Sequence, residues 1–272
     1  MLSPKKIISK LFGYYKSPSY TDLQQVPVEV SESNGIRSLH IGTDTIQSSM
    51  EIKNPFSLEL NYTKVMALSM LFNAVPSNIL TIGLGGGSMP KFYFNYCKKC
   101  NITVLELHHQ VISAAYTYFN LPNDPRLEVI EGDGIKYMVE GKETYDILLS
   151  DAFDEYGIPD VFTTEEYFSL CKSKLSVQGI FIINLWGSDS KTPSYIKKIK
   201  KVFKNIVLTA PSGNPGNIIV MAFESIPNEL RIPELKEKIK VLEKEIGLEL
   251  MVYFKRLIES NTSINAHRLK FI

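Results

Sequence analysis

Cysteine is scarce: Cys97, Cys100 and Cys171 are the three in 272 residues. So few thiols cannot build a disulfide framework, and the sequence reads as that of a protein from a reducing, cytoplasmic setting. Cys97-Lys-Lys-Cys100 has the spacing of a metal knuckle but lacks a second pair and a nearby histidine set, so no metal is expected. Apolar runs long enough to span a bilayer, about 18–20 residues, are missing too, and no membrane partner is expected. Charge of one sign is not in excess. Thirty basic and 29 acidic residues give a net charge of +1, which leaves no electrostatic footprint for nucleic acid. Residues 1–20 place Lys5, Lys6 and Lys10 among Ile7, Ile8, Leu11 and Phe12. That pattern suits a short amphipathic docking arm or a disordered start; it lacks the apolar core and cleavage site of a secretory signal. What is present, 44% apolar and 22% charged residues, is the composition of an ordinary globular protein.

The most informative stretch is Ile79-Leu-Thr-Ile-Gly-Leu-Gly-Gly-Gly-Ser-Met-Pro90. A short apolar run reads as a buried parallel strand. Gly83, Gly85 and Gly87 then allow a sharp turn with no side chain in the way of a ligand. A potentially helical segment follows, so the product is a strand–glycine loop–helix, whose backbone N–H groups and helix dipole suit a nucleotide. Before it, Val26, Val28 and Val30 recur at period two around Pro27, and Asn34-Gly35 marks a turn. Residues up to Ser48 continue the pattern as a small antiparallel β unit. Pro55 to Phe72 reads as a helix.

After the loop, strands and helices alternate. Strands are expected at Ile102–Leu107, Leu127–Ile130, Tyr145–Ser150, Gly179–Leu185, Asn205–Thr209 and Asn217–Phe223. Helices are expected at Gln110–Phe119, Thr163–Leu175, with a capping-box-like Thr163-Thr-Glu-Glu166, and Ser194–Phe203. A charged amphipathic helix, Pro233–Glu259, bends or breaks near Gly247 and packs over the sheet edge. The fold class is α/β: a Rossmann-like, doubly wound, mostly parallel sheet preceded by the antiparallel unit, with residues 1–55 as arm and β unit and 56–272 as the nucleoside-binding domain. Such sheets bind ligands at the carboxyl ends of their strands. Four features fall there in order: the glycine loop, Glu106 about twenty residues on, where an acid holds ribose hydroxyls, Asp133, placed for an adenine amino group, and Asp151 with Asp154. His108 and His109 read as the start of the next helix.

The layout resembles the S-adenosylmethionine-dependent fold and, more closely, the spermidine synthase (polyamine aminopropyltransferase) family. The likeness runs from about Leu39 to Phe223. It rests on Ile82-Gly-Leu-Gly-Gly-Gly-Ser88, Val104-Leu-Glu-Leu107, Asp124-Pro-Arg-Leu-Glu-Val-Ile-Glu-Gly-Asp-Gly134 and Tyr145-Asp-Ile-Leu-Leu-Ser-Asp-Ala-Phe-Asp154. The resemblance implies that decarboxylated S-adenosylmethionine is the co-substrate, that a diamine such as putrescine is the acceptor, and that no metal is used. It implies that Glu106 binds the ribose, Asp133 and Gly134 the adenine edge, and Gln47 the tail of the sulfonium ligand. Asp151 becomes the general base, Asp154 an anchor for the cationic amine and Tyr62 a residue that orients it. A homodimer or homotetramer is common in the family.

Three positions depart from its pattern. Gly86 stands where the family usually has an aspartate that grips the aminopropyl ammonium, Thr63 where it has histidine or glutamine, and Ala210 where it has an aromatic ring. All three fall on the tail and amine side, so the expectation is a retained nucleoside end and an altered tail or acceptor end. Two other readings stay open on sequence: an S-adenosylmethionine-dependent methyltransferase, and a catalytically silent nucleoside-binding protein.

Overall fold

The computed structural model describes Leu11 and residues 27–153, 157–214, 216–262 and 267–272. The expected amino-terminal helix (Leu11 apart) and Asp154 lie outside the described residues. Three strands, β1 (Val28–Ser33), β2 (Ile36–Ile41) and β3 (Ile46–Glu51), form an antiparallel sheet in that order. Asn34 and Gly35, with φ of 51° and 79°, make the two-residue turn whose twist matches that of the flanking strands. Pro27 directly precedes the edge strand β1, where its missing N–H breaks no ladder bond. Leu39 and Met50 carry the sheet into the main apolar core.

The helix expected from Pro55 is shorter than the sequence suggests: α1 spans Asn61–Ala67 and tightens into a 3-10 turn at Leu68–Leu71. Leu60 is extended, with φ −75° and ψ 139°, so the helix begins after it; Pro55 and Phe56 lie in a turn and Leu58 in irregular chain.

Seven strands form the principal sheet: β4 (Asn78–Ile82), β5 (Asn101–Glu106), β6 (Leu127–Glu131), β7 (Tyr145–Ser150), β8 (Leu175–Trp186), β9 (Val207–Pro211) and β10 (Asn217–Phe223). Their order is β6-β5-β4-β7-β8-β10-β9. Strands β4 to β8 pair in parallel, and β10 runs antiparallel to both β8 and β9. Both faces are covered. Ile79 faces one core, while Leu80 and Ile82 face the other, which is why these strands read as near-continuous apolar runs.

The helices α2 (Ser88–Tyr96), α3 (His109–Tyr118), α4 (Gly134–Glu140), α5 (Glu165–Ser173) and α6 (Thr192–Val202) fill the connections. The cap of α5 sits one residue later than the sequence pattern implies. Thr164, not Thr163, accepts from Tyr167 N–H at 3.1 Å. The short α4 follows a strand the sequence reveals, but its own apolar period is too brief to announce it.

The carboxy-terminal helix breaks fully rather than bends. Helix α7 (Ile232–Ile246) ends at Gly247, φ 68°, and α8 (Met251–Ser260) begins afresh. Glu243 bridges the break, its Oε1 accepting from Leu250 and Met251 N–H at 2.6 Å each. Leu235, Ile239, Leu242 and Ile246 are buried on one face of α7. At about 1.5–3 kcal/mol per fully buried side chain, that stripe anchors the helix. Helix α8 packs on edge strand β9. Cys97 and Cys100 close the turn between α2 and β5, and both are buried.

Candidate active site

The sheet order reverses around β4, and a ligand crevice is expected there at the carboxyl ends of the strands. A cavity of about 820 Å³ opens at that point, within the usual range for small-molecule sites. Backbone bonds hold its three central segments side by side. Gly83 N–H donates to Leu105 O at 2.9 Å, Asp151 N–H to Ile82 O at 2.9 Å, and Gly132 N–H to Glu106 O at 2.8 Å. The ladder therefore continues one residue past each strand and delivers the loop, the two acids and Gly132 to one rim.

Gly83 has φ 92°, and a Cβ there would lie 2.5 Å from Asp151 O. Only glycine lets β4 turn beneath the Asp151 backbone. Gly85, with φ 52°, lines the cavity. Gly87 does not: it is the left-handed N-cap of α2, and a Cβ there would meet Leu121 at 2.7 Å. Its requirement for glycine is a packing and turning one.

Glu106 is 8% exposed. Its Oε2 accepts from Leu84 N–H at 3.0 Å and its Oε1 from His108 N–H at 2.9 Å. A carboxylate offers about four acceptor positions, so each oxygen keeps capacity beyond its one backbone bond, and the residue lines the cavity. Two vicinal hydroxyls match that arrangement.

Asp133 serves two purposes. Its Oδ1 caps α4, accepting from Ile135 N–H at 2.8 Å and Lys136 N–H at 3.3 Å. Its Oδ2 is buried with no partner. A buried carboxylate oxygen left bare costs free energy, and an amino donor on a bound base removes that cost. Gly134 opens α4 so close to β4 that a Cβ would touch Ile82 Cγ2 at 3.0 Å. Asp133→Asn is expected to keep the cap through Oδ1 and to weaken adenosine binding about tenfold, because the facing amide N–H₂ opposes another donor. Calorimetry with adenosine and inosine checks it: the variant should lose its preference for the amino-bearing base.

Asp151 sits in the floor. Asn184 Nδ2 donates to its Oδ1 at 2.9 Å, and Asn217 Nδ2 donates to Asn184 Oδ1 at 2.7 Å. Burial raises its pKa to about 6, against the lowering effect of hydrogen bonds from Asn184 and Tyr62. Burial, and then the Asp151 charge, push the Tyr62 phenol well above its ordinary value, so it stays protonated. The same single O–H lies 3.4 Å from Gln47 O, a longer contact that competes with Asp151 for the one proton. Gln47, on β3, and Tyr62, on α1, line the same cavity as Asp151. Phe153, stacked on Trp186 with centroids 5.6 Å apart, and Phe162 add an aromatic wall.

Gln47, Tyr62, Gly83 and Gly85 thus share one cavity with Glu106, Asp133, Gly134 and Asp151. His108 also lines it, as the N-cap of α3, whereas His109 is exposed and pairs with Glu131 at 3.0 Å. The sequence reading missed Asn184 and Asn217. The available signal was Asn184, a lone amide inside the apolar run Ile180–Leu185, since a buried polar side chain requires a partner. The departures from the family pattern have concrete surroundings. A Cβ at Gly86 would lie 2.8 Å from both Phe119 Cδ1 and Ser48 Oγ, so neighbouring side chains fill the space a larger residue would need. Ser48 Oγ and Ser88 Oγ are 3.1 Å apart beside the loop. Thr63 is buried and donates to Leu60 O at 2.7 Å, and Ala210 is buried in β9.

The spermine/spermidine synthase domain matches residues 59–215. A polyamine aminopropyltransferase of Chromobacterium violaceum is 37% identical over 243 residues, covering 89% of this chain and 93% of the relative. The polyamine aminopropyltransferase of Neisseria meningitidis is 37% identical over 242 residues, covering 88% and 92%. In fold, the chain is similar to a probable spermidine synthase from Corynebacterium glutamicum, with a TM-score of 0.66, 21% identity and coverage of 78% and 79%. The domain match spans the glycine loop, Glu106, Asp133 and Asp151, the same residues that converge on the cavity, and the chain belongs to the spermine/spermidine synthase family of transferases.

Proposed function

We propose that the protein moves an aminopropyl group from decarboxylated S-adenosylmethionine to a diamine such as putrescine. The observation that carries this reading is the juxtaposition of a ribose-ready Glu106 and a bare Asp133 oxygen with a buried carboxylate, Asp151, at the far side of the same cavity. In the proposed reaction the acceptor ammonium gives a proton to Asp151. The freed nitrogen lone pair attacks the propyl carbon bonded to the sulfonium. The C–S bond breaks, its electron pair returns to sulfur, and methylthioadenosine leaves as a neutral thioether. The sulfonium is already an activated leaving group, so alignment and proton acceptance supply the acceleration. Tyr62 and Gln47 orient the amine and the ligand's tail, and Asp154 is assigned to the distal ammonium of the acceptor.

The test is release of methylthioadenosine from the decarboxylated donor on adding putrescine, followed across pH. A base works only when ionised, so kcat/KM should fall as pH drops through about 6, the value to which burial raises Asp151. A profile flat down to about pH 4.5, near the ordinary aspartate range, would remove Asp151 from the role of base. Turnover with intact S-adenosylmethionine, and none with the decarboxylated form, would instead indicate a methyltransferase.

A further inference from the structure

The mechanism leaves two neighbouring amides unused, one buried and one half-buried. Asn184 is 3% exposed, in the middle of a strand whose neighbours are apolar. Asn217 opens β10 directly beside it, where the antiparallel register pairs Asn217 with Trp186 and Ile219 with Asn184. The two amides and Asp151 form a chain whose direction is forced. An ionised carboxylate only accepts, so Asn184 must turn its Nδ2 toward Asp151. That leaves Asn184 Oδ1 facing Asn217, which must then donate. The observed contacts, 2.7 Å from Asn217 to Asn184 and 2.9 Å from Asn184 to Asp151, follow that order.

Asn217 is itself held on both sides. Its N–H donates to Ser212 Oγ at 2.9 Å, and its carbonyl accepts from Ser212 N–H at 2.8 Å. Next to it, Gly187 N–H donates to Gly216 O at 3.1 Å, and a Cβ on Gly187 would come within 2.2 Å of that oxygen. The ends of β8 and β10 therefore meet at a distance set by glycine, and the turn between β9 and β10 fixes the outer amide.

We propose that Asn217 is a positioning residue for Asp151, acting through Asn184 as a two-amide relay that keeps an N–H aimed at the carboxylate and so favours its ionised form. The proposal rests on the reading of Asp151 as the base. Without Asn217, Asn184 can turn its Oδ1 toward the protonated carboxyl and accept from it, so the neutral form of Asp151 is no longer disfavoured and its pKa rises. Among the described residues, Tyr62 on α1 is the other group acting on the Asp151 charge. Glu106, His108 and Asp133 line the same cavity from the ends of β5 and β6, and β8 and β10 contribute only the two amides.

The test uses the full chain with carbon-13-labelled aspartate carboxyls, Asp151 being assigned by Asp151→Asn. The variants are Asn217→Ala and Asn217→Leu, the second keeping side-chain volume at a half-buried position in case the first loosens the turn. Each should raise the Asp151 titration midpoint by about 0.5–1 pH unit, with the acid limb of kcat/KM moving up equally and methylthioadenosine affinity unchanged. Adding Asn217→Leu to Asn184→Ala should produce no further shift, because the relay is already cut. An unmoved midpoint in Asn217→Leu overturns the relay. So does an undiminished shift in the Asn184→Ala background, which would mean that Asn217 acts by another route. A midpoint that moves as expected in a protein releasing no methylthioadenosine sustains the relay and sinks the aminopropyl-transfer reading instead.

Discussion

Asp151→Asn is expected to lower kcat by about 10²–10⁴-fold, the usual contribution of a positioned proton acceptor, while methylthioadenosine binds within about threefold of its original affinity. The substitution is close to isosteric. An asparagine oxygen at this position still accepts from Asn184 Nδ2, now 2.9 Å from Asp151 Oδ1, so the contact with β8 is kept while the capacity to take a proton is lost. Two consequences separate this from general damage. Thermal stability should hold or rise, because burial already disfavours the charged form of Asp151 and a neutral amide removes that cost. The acid limb should also vanish from the residual activity. Single-turnover release of methylthioadenosine across pH measures the rate and its acid limb, calorimetry the binding, and thermal melts the stability. Retention of more than about a tenth of kcat would assign proton acceptance to another group.

How much of this was legible beforehand follows from the physics of each element. The parallel strands were plain because burial on both faces writes an apolar run into the sequence. The glycine loop was plain because its φ values and the Gly83 contact with Asp151 O exclude side chains. Glu106, Asp133 and Asp151 share one cavity, a grouping legible because this class of sheet opens its crevice at the carboxyl ends of its strands. Other features left weaker traces. The start of α1 is misplaced because Leu58 and Leu60 are apolar and fully or partly buried in irregular chain, and periodicity does not distinguish a packed loop from a helix. Gly87 looked equivalent to its neighbours, yet its role is to cap α2. The amide pair was invisible because Asn184 and Asn217 lie 33 positions apart and meet only through the antiparallel pairing of β8 with β10. That pairing also explains how the last two strands, distant from the glycine loop in sequence, reach the cavity beside Asp151.

The nucleoside end yields the second large effect. Glu106→Gln is expected to weaken methylthioadenosine binding by about 100-fold, close to 2.7 kcal/mol, with little change in kcat once the donor is saturating. Each carboxylate oxygen already accepts one backbone N–H, from Leu84 and from His108, and in the proposed complex its remaining position takes one ribose hydroxyl. A glutamine supplies a single acceptor oxygen. Its N–H₂ must therefore face one of those two backbone N–H groups, leaving that donor unpaired, and one hydroxyl loses a charge-assisted bond, worth about 1.5–3 kcal/mol. If the loss comes from the ribose, it should depend on the ribose. The 2′-deoxy analogue of methylthioadenosine should bind the original protein more weakly, and Glu106→Gln should cost it clearly less than it costs the parent nucleoside, because one of the two lost partners is already absent. Equal losses for both nucleosides would show that Glu106 acts only by holding the Leu84 turn, and its assignment to the ribose would fall.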